Sequence, residues 1–149
     1  MTIRVRLFAM QRQQLGVREL QLEVPDGSTV AGAFAALYIA AVAGCVFCQI
    51  LAGELPAHVV LDTDDVLAFL DRTPLFKGHA LVIPRIHVET LTDLPPDLLG
   101  AYFGEVQRLS WAMEDVLGAA GSFVAMNNRI SQSVPHPVSY TTLTLPTIH

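Results

Sequence analysis

Four residues of this 149-residue chain have the types and spacing of a metal site. Cys45 and Cys48 form a C-x-x-C pair, His87 follows thirty-nine positions after Cys48, and His136 lies a further forty-nine on. Two thiolates and two neutral imidazoles complete a tetrahedral zinc shell. Other chemistry fits the same cysteines: a C-x-x-C pair serves as a dithiol redox couple, and buried cysteines act as small hydrophobes. A redox couple is expected behind a thioredoxin-like strand, and none precedes Cys45. The ten residues NNRISQSVPH, Asn127 to His136, form a second feature, a loop of turn-favouring polar side chains that ends on the last of the four candidate ligands.

Composition bounds what surrounds these residues. Apolar residues make up 52 % and charged residues 15 %, which excludes disorder driven by low hydrophobicity and high charge. The length suits roughly one domain, or one domain with a fragment attached. Net charge is −5, so no footprint for duplex nucleic acid is expected, and Arg4, Arg6, Arg12 and Arg18 read as a solvated strand face. Two cysteines argue against a disulfide scaffold and for a reducing compartment, with the cytoplasm as the expected location. Residues 27 to 53 carry no charge, and Val30 to Cys48 is long enough to span a bilayer. That run is rich in Ala and Gly and lacks a flanking basic cluster, so it reads as two buried segments abutting at a junction, with no membrane partner.

The elements that must hold the chemistry follow from periodicity. Residues 2 to 8 and Leu20, Leu22 and Val24 alternate as half-buried strands; Pro25-Asp26-Gly27 is a turn, and Ser28 or Thr29 can cap a helix from Val30. After Cys45 to Gln49 the pattern predicts a short helical segment at 50 to 54 ended by Pro56, then strands at Val59 to Leu61, Val66 to Asp71 and Ala80 to Pro84. Pro95 and Pro96 suit a helix start, and apolar residues from Leu98 to Leu117 recur at helical spacing until Gly118, a stripe for core or dimer packing with Trp111 off it. Phe123 to Met126 reads as a last strand.

Taken in order, CVFCQILAGELPAHVV, DVLAFLDRTPLFKGHALVIPRIHVETLTDLP and FVAMNNRISQSVPH resemble a zinc-bearing histidine-triad (HIT) family protein over residues 45–136. The resemblance implies an α+β fold, a HIT-like antiparallel meander sheet with a long packing helix, and a cytoplasmic homodimer that binds a purine nucleotide or nucleotide conjugate. It implies zinc on Cys45, Cys48, His87 and His136. Phe47, Ile50 and Phe69 would line the base pocket, Asp71 would accept from both ribose hydroxyls, and Asn127, Gln132 and Ser133 would face the α-phosphate. His79 takes the place of a histidine that stands behind the triad, whereas His58 has no counterpart and reads as a surface residue.

Two stretches depart from that pattern. The family continues H-x-H-x-H from His136, with the second imidazole as the nucleophile that forms a nucleotidyl-histidine; here Pro137, Val138, Ser139 and Tyr140 follow. Val138 has no lone pair, so no catalytic residue is assigned and the chain is expected to be inactive as a nucleotide hydrolase or transferase. Residues 137–149 read as a tail foreign to the family, resembling a sequencing adaptor translated in frame, which leaves the HIT domain truncated and without its final strand; His149 lies too far along to replace a triad member. Residues 1–37 resemble the opening of the ubiquitin-like sulfur carriers of molybdopterin synthesis, a partial β-grasp (β-β-α) segment lacking the C-terminal Gly-Gly such carriers use. Residues 38–44 are then a junction, and Val42-Ala43-Gly44 a candidate alternative start. The alternative function, from a different class, is a non-catalytic zinc-stabilised module for protein association.

Overall fold

The computed structural model describes residues 1–6 and 19–144 and divides into two compact units, Met1–Cys45 and Val46–His149. The expected strands at 7 and 8, the arginines at 12 and 18 and His149 lie outside the described residues.

In the first unit β1 (Thr2–Arg6) pairs antiparallel with β2 (Glu19–Glu23) in the register Thr2↔Glu23 to Arg6↔Glu19. Gly27, at φ +83°, turns the chain, and helix α1 (Val30–Gly44) starts under a Thr29 cap whose Oγ1 accepts from the Gly32 N–H at 3.2 Å. The order strand, strand, helix is the expected one. Two expectations need correction. The helix runs unbroken to Gly44, so there is no separate junction at 38–44, because residues 30 to 44 hold no proline and only small or apolar side chains that helices tolerate. Nor is the run buried: α1 has no buried residue, and Val30, Phe34, Tyr38 and Ile39 are exposed, because its apolar residues encircle it rather than forming one stripe that packing could cover. No helix among the described residues is long and apolar enough to cross a membrane.

The second unit holds the HIT-like α+β fold, an antiparallel sheet with a long helix. Helix α2 (Val46–Leu51) leads into β3 (Val59–Asp62), β4 (Val66–Leu70) and β5 (Ala80–Pro84), a meander whose second and third strands pair from Val66↔Pro84 to Leu70↔Ala80. Helix α2 begins four residues before the predicted segment: Ala52 N–H reaches back to the Cys48 carbonyl, and Gly53 at φ +75° closes the helix well before Pro56. Single-turn 3₁₀ segments at Leu91–Asp93 and Pro96–Leu98 precede α3 (Leu99–Leu117), which Gly118 ends in the left-handed conformation at φ +64°. Tyr102, Val106 and Met113 of α3 are buried; Tyr102 and Val106 pack with Val66, Ala68 and Val82 of the sheet and with Leu94. Phe103, Val116 and Leu117 of the predicted stripe stay exposed, as does Trp111.

Strand β6 (Gly121–Met126) and β7 (Ser139–Thr144) complete a sheet of order β3-β4-β5-β7-β6. This overturns the expectation of a domain without its final strand. Tail residues 139–144 fill an internal position, hydrogen-bonded to β5 on one side (Ala80↔Thr141, Leu81↔Tyr140, Val82↔Ser139) and to β6 along its full length on the other. The threonine-rich segment is a competent strand because β-branched side chains fit the pleat, and Thr141 and Ser139 are small enough to be buried in it. Tyr102 secures the splice: its hydroxyl donates to the Val82 carbonyl at 2.9 Å and accepts from the Ser139 N–H at 2.8 Å. Burial holds its pKa up at about 12, so the hydroxyl remains protonated.

Candidate metal centre and adjoining cavities

Cys45 is the C-cap of α1, extended at φ −88°, and Cys48 sits in the first turn of α2, so the three-residue spacing brings two thiols to one place. His87 follows β5, and His136 ends the loop that feeds β7. One ligand atom from each of the four residues lies within 4.8 Å of the others. Cys48 Sγ is 3.2 Å from His87 Nδ1 and 3.7 Å from His136 Nδ1. Zinc bonds of about 2.0–2.1 Å to nitrogen and about 2.3 Å to sulfur in a tetrahedron put a sulfur and a nitrogen ligand about 3.6 Å apart, so both pairs lie within about 0.4 Å of the required separation.

The two imidazoles also have the right protonation. His136 is fully buried, and its Nε2 lies 2.8 Å from the Pro84 carbonyl, which fixes the proton on Nε2 and leaves the Nδ1 lone pair facing the thiol. Burial pushes its pKa down to about 4; the Pro84 carbonyl opposes this, and the neighbouring His87 adds to it. Burial lowers His87 as well. Both imidazoles are therefore neutral near pH 7, as ligation requires. Cys45 and Cys48 are buried beside them. A redox pair would leave the two converging imidazoles without a role, whereas a metal uses all four side chains.

Two cavities share the wall formed by Phe47, Asp71 and Leu81. The larger, about 760 Å³, has an apolar floor of Phe47, Ile50 and Phe69, with Phe47 set edge-on to Phe69 at 5.8 Å between centroids. The three expected base-pocket residues thus come together, and a volume of this size is that of a small-molecule site. His58, read from sequence as a bystander, is exposed and lines this cavity too; no sequence pattern distinguishes it from a surface histidine. The smaller cavity, about 480 Å³, is bounded by Asn127, Gln132, Ser133 and His79, and by Val138 and Tyr140 of the unmatched tail.

Not every expected residue is available to a ligand as it stands. Asp71 Oδ1 accepts the Thr73 N–H at 2.9 Å, a turn bond that leaves Oδ2 for other partners. The Gln132 amide is committed to the backbone: Nε2 donates to the carbonyls of Glu89 (2.7 Å) and Val134 (2.9 Å), and Oε1 accepts from Arg129 N–H at 2.7 Å. It shapes the loop rather than presenting free donors. Asn128, which sequence reasoning passed over, braces the same loop by accepting the Leu91 N–H at 2.8 Å. Arg129 and Ser131 adopt positive φ, 68° and 61°, a left-handed strain that non-glycine residues bear where surrounding contacts enforce it.

A family model for the HIT domain matches residues 52–136, more than half of the chain. The chain belongs to the HIT-domain family. This HIT protein is 38 % identical over 94 residues to the Hit protein of Bacillus subtilis, covering 62 % of the chain and 65 % of the relative. It is 39 % identical over 72 residues to the adenosine 5′-monophosphoramidase of Saccharomyces cerevisiae, covering 48 % of the chain and 46 % of the relative. The chain thus spans less than two thirds of the length of these curated relatives. Among solved structures it resembles a zinc-bound histidine-triad family protein from Mycobacterium smegmatis at a TM-score of 0.67 and 32 % identity, over 71 % of this chain and 78 % of that one.

Proposed function

We propose that the chain is a zinc-bearing nucleotide-binding HIT protein that holds the purine nucleotide part of a conjugate without forming a nucleotidyl-histidine. The observation that carries this reading is the juxtaposition of a complete four-ligand cluster with a cavity wall made by Val138 and Tyr140. Cys45, Cys48, His87 and His136 would hold the zinc; with four protein ligands it acts as a structural cross-link and leaves no open position for substrate. Phe47, Ile50 and Phe69 would take the base and Asp71 Oδ2 the ribose, while Asn127 and Ser133 flank the phosphate. Similarity to a monophosphoramidase supports AMP conjugates as the ligand class. Nucleophilic attack on phosphorus needs a lone pair, and the isopropyl group of Val138 has none.

Calorimetric titration with AMP, paired with metal analysis, tests the reading: one zinc per chain, saturable AMP binding and no hydrolysis of an AMP phosphoramidate are expected. Rapid turnover would refute the inactive assignment, and the absence of both zinc and AMP binding would refute the site. A cytoplasmic homodimer belongs to the same proposal. Strand β6 is the terminal strand of the sheet and exposes Phe123 and Val124, which favours self-association. Solution mass at micromolar concentration checks it, with a monomer as the contrary result. If association survived zinc removal while AMP failed to bind, the protein-association role would replace nucleotide binding.

A further inference from the structure

A third cavity, of about 490 Å³, adjoins the smaller one described above and shares Leu75 and Tyr140 with it. Strand pairing sets the order in which the cavities follow one another. The Ser139 Oγ lies 3.1 Å from the Tyr102 hydroxyl of α3, so alternation along β7 turns Tyr140 and Thr142 to the sheet face away from that helix. Cross-strand partners share a face, and the pairs Phe69↔Leu81, Leu81↔Tyr140 and Thr142↔Phe123 lay one row across β4, β5, β7 and β6. The base cavity lies at the β4 end of that row and the third cavity at the β6 end, with the smaller one between them.

The chemistry of the third cavity differs from that of its neighbour. Leu75, Phe76, Phe123 and Tyr140 form much of its wall, and none of the described residues that line it is charged. Leu75, Phe76 and Phe123 are 76 %, 49 % and 55 % exposed, and large apolar side chains gathered round one hollow mark a binding surface, as scattered ones do not. The rings of Phe123 and Tyr140 lie 6.4 Å apart and tilted by 41°. A nucleotide with its base on Phe47, Ile50 and Phe69 and its phosphate beside Asn127 and Ser133 directs whatever is bonded to that phosphate past Tyr140. We propose that the third cavity takes the non-nucleotide half of the conjugate and selects an uncharged aromatic group. A polyphosphate or a charged amino acid would lose hydration there without gaining a counter-charge from the lining. The inference rests on the nucleotide reading given above and names the class of conjugate.

Calorimetry on the zinc-loaded full chain tests it with two probes, adenosine 5′-phosphoramidate and its N-phenethyl derivative, which differ by the apolar group alone. The wild type binds the phenethyl derivative about tenfold more tightly, the gain expected from partial burial of one ring. Phe76→Ser and Phe123→Ser each bring that preference to within about twofold. Affinity for the parent phosphoramidate stays within about twofold of the wild type in both, which shows that the variants are folded. Equal affinity of the wild type for the two probes, or a preference that survives both substitutions, overturns this inference and leaves the nucleotide reading intact. A solution mass that falls in Phe76→Ser or Phe123→Ser while the preference is unchanged also overturns it, by assigning the patch to a second copy of the chain. Failure of the wild type to bind either probe overturns both.

Discussion

The metal cluster and the wall of the smaller cavity lie on the two sides of a single residue, His136, and they are in opposite condition. On the upstream side four side chains from separate elements converge, and burial keeps the two imidazoles neutral. On the downstream side β7 has the backbone pairing of an internal strand, and the smaller cavity is lined there by Val138 and Tyr140, the positions at which the proposed reading finds no nucleophile. The difference teaches that sheet pairing and catalysis make unequal demands. A strand position accepts many side chains provided they suit the pleat, whereas a nucleophile's position accepts very few.

Breaking the upstream side is expected to have the largest effect. Cys48→Ser should abolish stoichiometric zinc and unfold most of the second unit, since structural zinc contributes folding free energy on the order of 10 kcal/mol in small domains. Metal analysis and thermal melting measure it; a variant that melts within a few degrees of the wild type would show that the cluster is not the fold's cross-link. Repairing the downstream side should sharpen the contrast. The combined changes Pro137→Leu, Val138→His and Tyr140→His are expected to convert undetectable AMP phosphoramidate cleavage into measurable turnover, with zinc content unchanged.

A smaller loss is expected at the seam between the two sides. Tyr102→Phe removes the hydroxyl that joins Val82 to Ser139 and strands a buried N–H, a cost of about 2 kcal/mol in denaturant unfolding. If the loss were negligible, β7 would not depend on that bond for its place. The smallest effect belongs to the first unit: Phe34→Ser on the exposed α1 should change stability by less than about 0.5 kcal/mol. A large loss there would mean that α1 is covered in solution.

Much of the second unit was legible in the chain because its signals are local or carried by rare residues. Short apolar runs between turn residues located β4 and β5, the prolines and Gly118 bracketed α3, and Cys and His are scarce enough that their spacing pointed to the cluster the structure assembles. What escaped was set by tertiary pairing. Nothing in SYTTLT states that it lies between β5 and β6 rather than at an edge, because strand position depends on partners distant in sequence. The backbone role of Gln132 was hidden for the same reason: Glu89, the acceptor of its 2.7 Å bond, is forty-three residues away. For α1, hydrophobicity alone suggested burial, yet with apolar residues on all sides there was no face to orient.

Native mass spectrometry of the zinc-loaded chain with AMP tests most directly the proposal that the chain holds zinc and a nucleotide without forming a covalent intermediate. The account predicts one zinc and one AMP per chain, with no covalent nucleotidyl adduct after incubation with an AMP phosphoramidate. A chain that carries neither zinc nor AMP, or one that accumulates a covalent adduct, would contradict it.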